Sequence, residues 1–169
     1  MNSYILKIFL YETDPQVWRR FSVPETATFS DLHQLIQKAM GWHDEQAHQF
    51  RHGKGRHLKH VIADSREEVG PADEYTDEKD ITISQFISRK KLPLRLMYRY
   101  DFFDEWTHEI VFEEKTENAE SPRLLGGERA CPPEDCGGPF GYKECLAGYA
   151  EWMDDDYNPA VFDMTAVEL

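Results

Sequence analysis

The chain has 169 residues, enough for one domain with a substantial core. It carries 19 Lys+Arg against 32 Asp+Glu, a net −13, yet 40% of its residues are hydrophobic and 13% aromatic, which excludes a disordered acidic tail. No apolar run reaches the roughly 20 residues of a membrane helix, the start lacks a signal-peptide pattern, and three cysteines are too few for a disulfide scaffold. The expectation is a cytoplasmic protein, a single domain over 1–169, with no membrane partner.

Residues 4–11 place Tyr4, Leu6, Ile8 and Leu10 on one face and Ile5, Phe9 and Tyr11 on the other, which predicts a central strand. Thr13-Asp14-Pro15 makes a turn, and Val17–Val23 reads as a second strand, antiparallel to the first and stopped by Pro24. Thr28 with Asp31 three residues on opens a helix, and Gly41 closes it. Phe29, Leu32, Leu35, Ile36, Ala39 and Met40 form its apolar stripe, with His33 on the flank as a packing histidine. Strands over His48–Phe50 and Leu58–Ile62 flank a Gly53-Lys54-Gly55 turn. Residues 66–80 hold seven acids and a Gly-Pro, and read as a solvated loop. Thr82-Ile83-Ser84-Gln85 is a second capping box, for a short helix burying Ile83, Phe86 and Ile87.

Leu94–Phe102 and Trp106–Phe112 predict a hairpin. Leu96, Tyr98, Tyr100 and Phe102 share a face on one strand, as do Trp106, His108, Ile110 and Phe112 on the other. A Pro/Gly-rich stretch, Cys131–Gly141, then leads to a last helix over about 141–153. This order predicts an α+β fold, a single compact domain with a largely antiparallel mixed sheet, a roll-like ββαβ start and packed helices.

The phosphate-loop, nucleophile-elbow and His-Glu-x-x-His signatures are absent. Three constellations remain. Asp101, Asp104, Glu105, Trp106 and His108 crowd the hairpin tip, where carboxylates and an imidazole suit a divalent metal or a general base. The preferred reading is turn chemistry, with Asp104 capping the turn. Cys131 and Cys136 in their Pro/Gly frame are spaced more loosely than a Cys-x2-Cys zinc knuckle, so extended backbone entering a helix is preferred over zinc. Glu134 and Asp135 fall just upstream of that helix. The run 48–60 has four Lys/Arg, four His and no acid, and makes Arg51, Lys54 and Arg56 candidate phosphate contacts. A solvated, charged hairpin edge is the preferred alternative.

Several of these pieces together resemble the plasmid pRiA-type Orf-three-like family, also described as insertion-element passenger proteins with a resolvase label. The matching residues are Trp18-Arg19-Arg20 before Val23-Pro24, Leu32-His33 with Met40-Gly41-Trp42, and His48 with Phe50. Tyr100-Asp101-Phe102 with Asp104, Trp106 and His108 also match, as do Cys131-Pro132-Pro133-Glu134-Asp135-Cys136-Gly137-Gly138 with Gly141-Tyr142, and Asn158-Pro159 with Phe162-Asp163. The resemblance runs over nearly the whole chain. It implies a compact α+β domain associated with mobile elements and brings no reaction with it. The family usually has Gly where this chain has Phe103, so a φ > 0 turn there would strain or rearrange.

The leading expectation is a non-enzymatic binding or accessory module whose cluster of Asp101, Asp104, Trp106, His108, Glu134 and Asp135 contacts a partner. That the two segments meet in space is implied by the resemblance. One alternative is a metal-dependent hydrolase with Asp101, Asp104 and His108 as ligands and Glu134 as base. Another is nucleic-acid binding through 48–60. The charge is uneven: residues 1–60 hold eight Lys/Arg and six Asp/Glu, while 61–169 hold 11 and 26.

Overall fold

The computed structural model describes residues 2–54, 57–117, 121–148 and 156–169. Eight strands form one sheet. They are β1 (Ser3–Leu10), β2 (Trp18–Pro24), β3 (His48–Lys54), β4 (His57–Ala63), β5 (Glu74–Asp77), β6 (Leu94–Tyr100), β7 (Trp106–Thr116) and β8 (Arg123–Glu128), in the order β5-β4-β3-β6-β7-β1-β2-β8. Every adjacent pair is antiparallel except β4–β5. This is the mixed, mostly antiparallel α+β architecture that the element order predicts.

Register decides which side chains meet. Phe50 lies opposite Tyr98, Tyr98 opposite His108, Tyr100 opposite Trp106, and Ile8 opposite both Ile110 and Arg19. All share one face, and the helices cover it. α1 (Phe29–Met40) starts with the expected Thr28/Asp31 capping box and ends at Gly41, whose φ of 104° suits a residue without Cβ. Its stripe is buried, and Phe29 packs edge-on against both Phe50 and Phe86. Each such fully buried side chain contributes about 1.5–3 kcal/mol of apolar transfer. α2 (Ile83–Ile87) carries the predicted Thr82/Gln85 box. α3 spans Gly138–Leu146, three residues earlier than the periodicity implied, because Pro139 occupies its first turn. The predicted continuation to 153 includes residues outside those described.

Among the described residues, no second layer covers the opposite sheet face. Ile5 and Phe9 are half-buried and Tyr11 is exposed, so β1 is central without being covered on both sides. Paired long side chains occupy that face: Arg20 with Glu113 at 2.7 Å, Arg95 with Glu109, and Lys7 over the Trp18 ring. Residues 66–80 also depart from the solvated loop. Glu74–Asp77 adds the parallel strand β5, and Glu78 is buried with its amide on the Ala63 carbonyl. At the other edge β8 uses Gly127, since the Phe162 ring lies 2.4 Å from where its Cβ would stand.

Candidate functional site

The hairpin tip and the Pro/Gly segment do meet, and most of their polar groups hold the chain in place. Asp101 has φ 59°, and its Oδ1 accepts from the amides of Phe103 (2.9 Å) and Asp104 (3.1 Å). Its carbonyl accepts from Glu105, which also has positive φ. The left-handed positions are thus Asp101 and Glu105. Phe103 is not among them, so the turn accommodates it without a left-handed backbone at that position. Asp104 Oδ2 accepts from the Gly137 amide at 3.0 Å. Gly138, at φ 68°, lies so close to this turn that a Cβ would stand 2.3 Å from the Asp104 carbonyl oxygen. Glu134 accepts from the His43 amide at 3.1 Å and from the Tyr100 hydroxyl, which itself accepts from the Glu45 amide. Asp135 is exposed with φ 54°.

Trp106 and His108 lie beneath this junction in the core. Trp106 contacts the Trp42 and Tyr142 rings, and Trp42 donates its indole N–H to the Pro132 carbonyl at 3.1 Å. His108 is fully buried with Nδ1 facing two carbonyl oxygens, Trp106 at 3.0 Å and Tyr98 at 3.3 Å. Carbonyls only accept, so Nδ1 carries the proton and Nε2 the lone pair, which has no partner among the described residues. Burial lowers its pKa to about 3.

Asp101, Asp104 and His108 do not offer ligand atoms to one point. Neither do Cys131, Cys136 and His108. All three cysteines are free, and burial pushes the Cys136 thiol up to about 12. Along 48–60, Arg51 is held by Asp73 at 3.3 Å from the acidic segment, Lys54 is exposed, and Arg56 lies outside the described residues.

A second constellation was hidden in the sequence. On α1, His33 and Gln37 are one turn apart and both buried. The rings of His33 and His48 stack at 3.4 Å with 3° between planes. His33 Nε2 lies 2.7 Å from Asp44 Oδ1, and His48 Nε2 lies 2.7 Å from Glu78 Oε2. His33 Nδ1 lies 2.9 Å from the Tyr98 hydroxyl, which accepts from the Gln37 amide. Burial and the neighbouring His48 lower the His33 pKa, against the pull of Asp44. For Asp44 and Glu78, burial works upward but hydrogen bonds from His33 and His48 outweigh it and hold both carboxyls low. Among the described residues, only His33, Asp44 and His48 form a trio whose ligand atoms lie within 4.8 Å of one another. His33 read as packing because it flanks an apolar stripe. The usable signal was Gln37, since two polar groups on one buried face require polar partners.

At the surface, Phe103 is 97% and Phe140 73% exposed. They line an open cleft of about 380 Å³ with Glu12, Asp104, Glu105 and Lys143. No described helix is long and apolar enough to cross a membrane.

Three comparisons bear on kinship. The chain is 35% identical over 148 residues to the uncharacterized protein y4hQ of Sinorhizobium fredii, covering 86% of this chain and 72% of that one. Its fold matches the crystal structure of MM3350, a protein of unknown function from Methanosarcina mazei Go1, with TM-score 0.83, 30% identity, and 99% and 98% of the two chains covered. The model of the plasmid pRiA4b ORF-3-like proteins matches residues 2–166, so the chain belongs to that family.

Proposed function

We propose that the protein is a non-enzymatic binding module that presents its hairpin tip to a protein partner. The observation that carries this reading is the pair of exposed aromatic rings, Phe103 and Phe140, on the rim of one acid-lined cleft. Large apolar side chains left in water at one place mark interaction sites, and aromatic anchors dominate binding energy. The Asp104–Gly137 hydrogen bond and the tight Gly138 contact hold the two loops in fixed relation, so the rings are presented with little entropy left to lose. Glu12, Asp104 and Glu105 outnumber Lys143 in the cleft, which fits a partner segment with a Lys or Arg beside an apolar residue. Within the cluster that the sequence nominated, Asp104 contributes wall, while Asp101, Trp106, His108 and Glu134 serve as scaffold. Those groups are engaged by backbone and core, which supports binding over hydrolysis.

Site-specific photocrosslinking from position 103 in expressing cells tests the reading. It expects an adduct with a discrete protein that is lost in Phe140→Ala and in Glu105→Lys. An absence of adducts, or the same adducts from exposed Val161, would refute it.

A further inference from the structure

We propose that His33, His48 and Asp44, with Glu78 hydrogen-bonded to His48, form a binding site for a divalent cation of the zinc class.

Charge counting is the first argument. The cluster sets two carboxylates beside two imidazoles, with the His33, His48 and Glu78 side chains 2%, 7% and 4% exposed and Asp44 40%, so negative charge at Glu78 is buried. Uncompensated buried charge is expensive. Two protons would offset the two carboxylates only by making cations of two rings stacked 3.4 Å apart. One dication offsets them without setting like charges face to face.

The donor chemistry agrees. Two imidazole nitrogens with carboxylate oxygens are a ligand set for zinc and its borderline neighbours, whereas magnesium and calcium prefer oxygen alone. Around a tetrahedral zinc with bonds of about 2.0–2.1 Å, donors stand about 3.3 Å apart. The His33–Asp44 pair at 2.7 Å must open slightly, and the trio, now within 4.8 Å, must draw together. The two parallel rings must also tilt out of their stack, because an imidazole binds a metal in its own plane.

The surroundings already orient the ligands. Gln37 Oε1 accepts from the Asp44 amide at 2.9 Å, which turns its NH2 onto the Tyr98 hydroxyl at 3.0 Å. His33 Nε2 now donates to Asp44 Oδ1; on metal binding that proton leaves Nε2, and Nδ1 carries one toward the Tyr98 oxygen. Access comes from the Asp44 side, whose side chain is 40% exposed on the loop after α1. Glu78 is fixed from two directions, its amide on Ala63 and its carbonyl accepting from Ser30.

The test is titration of chelator-treated full-length protein with Zn²⁺ against a competing chelator, alongside X-ray absorption on the loaded wild type. One equivalent per chain, two imidazoles in the absorption spectrum, at least tenfold weaker binding in Asp44→Asn and loss of binding in His48→Gln are expected. His57→Gln, at an exposed histidine, keeps full affinity. Asp44 lies on an exposed loop, and the absorption measurement needs no substitution, so a variant that fails to fold does not blunt the test. Binding well below one equivalent, a spectrum without two imidazoles, or unchanged affinity in Asp44→Asn would each overturn the assignment.

Discussion

Replacing His108 with Phe changes how stability depends on pH in a way fixed by one proton. In the native state the ring is fully buried, donates from Nδ1 to two carbonyls, and has its pKa lowered to about 3. In the unfolded chain the same ring titrates near about 6.5. Between those values the unfolded state holds a proton that the native state does not, so stability rises with pH and falls as acid is added. The slope is about 1.4 kcal/mol per pH unit for one group once the pH is well below about 6.5, and integration from pH 7.5 to 5.5 gives a loss of about 1.3 kcal/mol. Phe has similar volume and no proton to gain, so His108→Phe removes this component while losing one buried hydrogen bond, worth about 0.5–1.5 kcal/mol. Urea unfolding of both proteins at half-unit steps from pH 5 to pH 8 measures it. The wild type loses stability faster than the variant below pH 6.5, and the two curves converge or cross toward pH 5. Parallel curves would refute the reasoning, as would a His108 ring resonance titrating near its ordinary value. His33, also lowered by burial, contributes a slope of the same sign to both proteins and cancels in the comparison.

Two further outcomes test the junction. Gly138→Ala must place a Cβ 2.3 Å from the Asp104 carbonyl oxygen at a left-handed φ, so it destabilises by more than about 1 kcal/mol in thermal unfolding, and a neutral result would contradict the close approach. Glu134→Gln keeps the shape but loses charge on the acceptor of both Tyr100 and the His43 amide, and costs about 1–2 kcal/mol by urea titration at pH 7.

Local chemistry in the sequence was a sound guide wherever a residue's role depends on its near neighbours. Thr28 with Asp31, Thr82 with Gln85 and Gly41 cap as read, and alternation assigned Leu96, Tyr98 and Tyr100 to the buried face. It failed where the role depends on distant chain. Glu74–Asp77 is too acidic and short to read as a strand, yet β4 supplies its hydrogen bonds. Nothing near Gly127 in the sequence announces the Phe162 ring, which in β8 lies where its side chain would stand. The histidine pair was illegible for the same reason: His33, His48 and Glu78 lie on a helix, a strand and a segment that reads as solvent-facing. At the hairpin tip the residue types were found, but geometry turned most of them into scaffold.

The position of the first hairpin in the sheet bears on how the protein is made. β1 lies against β7, with Ser3 opposite Thr116, and β2 lies against β8, with Trp18 opposite Glu128. A ribosome must therefore synthesise about 80 residues beyond Pro24 before β7 begins and about 100 before β8 begins, so the first two strands wait that long for their outer neighbours. Until then both edges of that hairpin show open N–H and C=O groups to any extended chain nearby. Loops this long close slowly, which places folding in the millisecond-to-second class of non-local sheets rather than among fast local folders. The interval between synthesis of β2 and arrival of β8 is when this chain has most need of a chaperone.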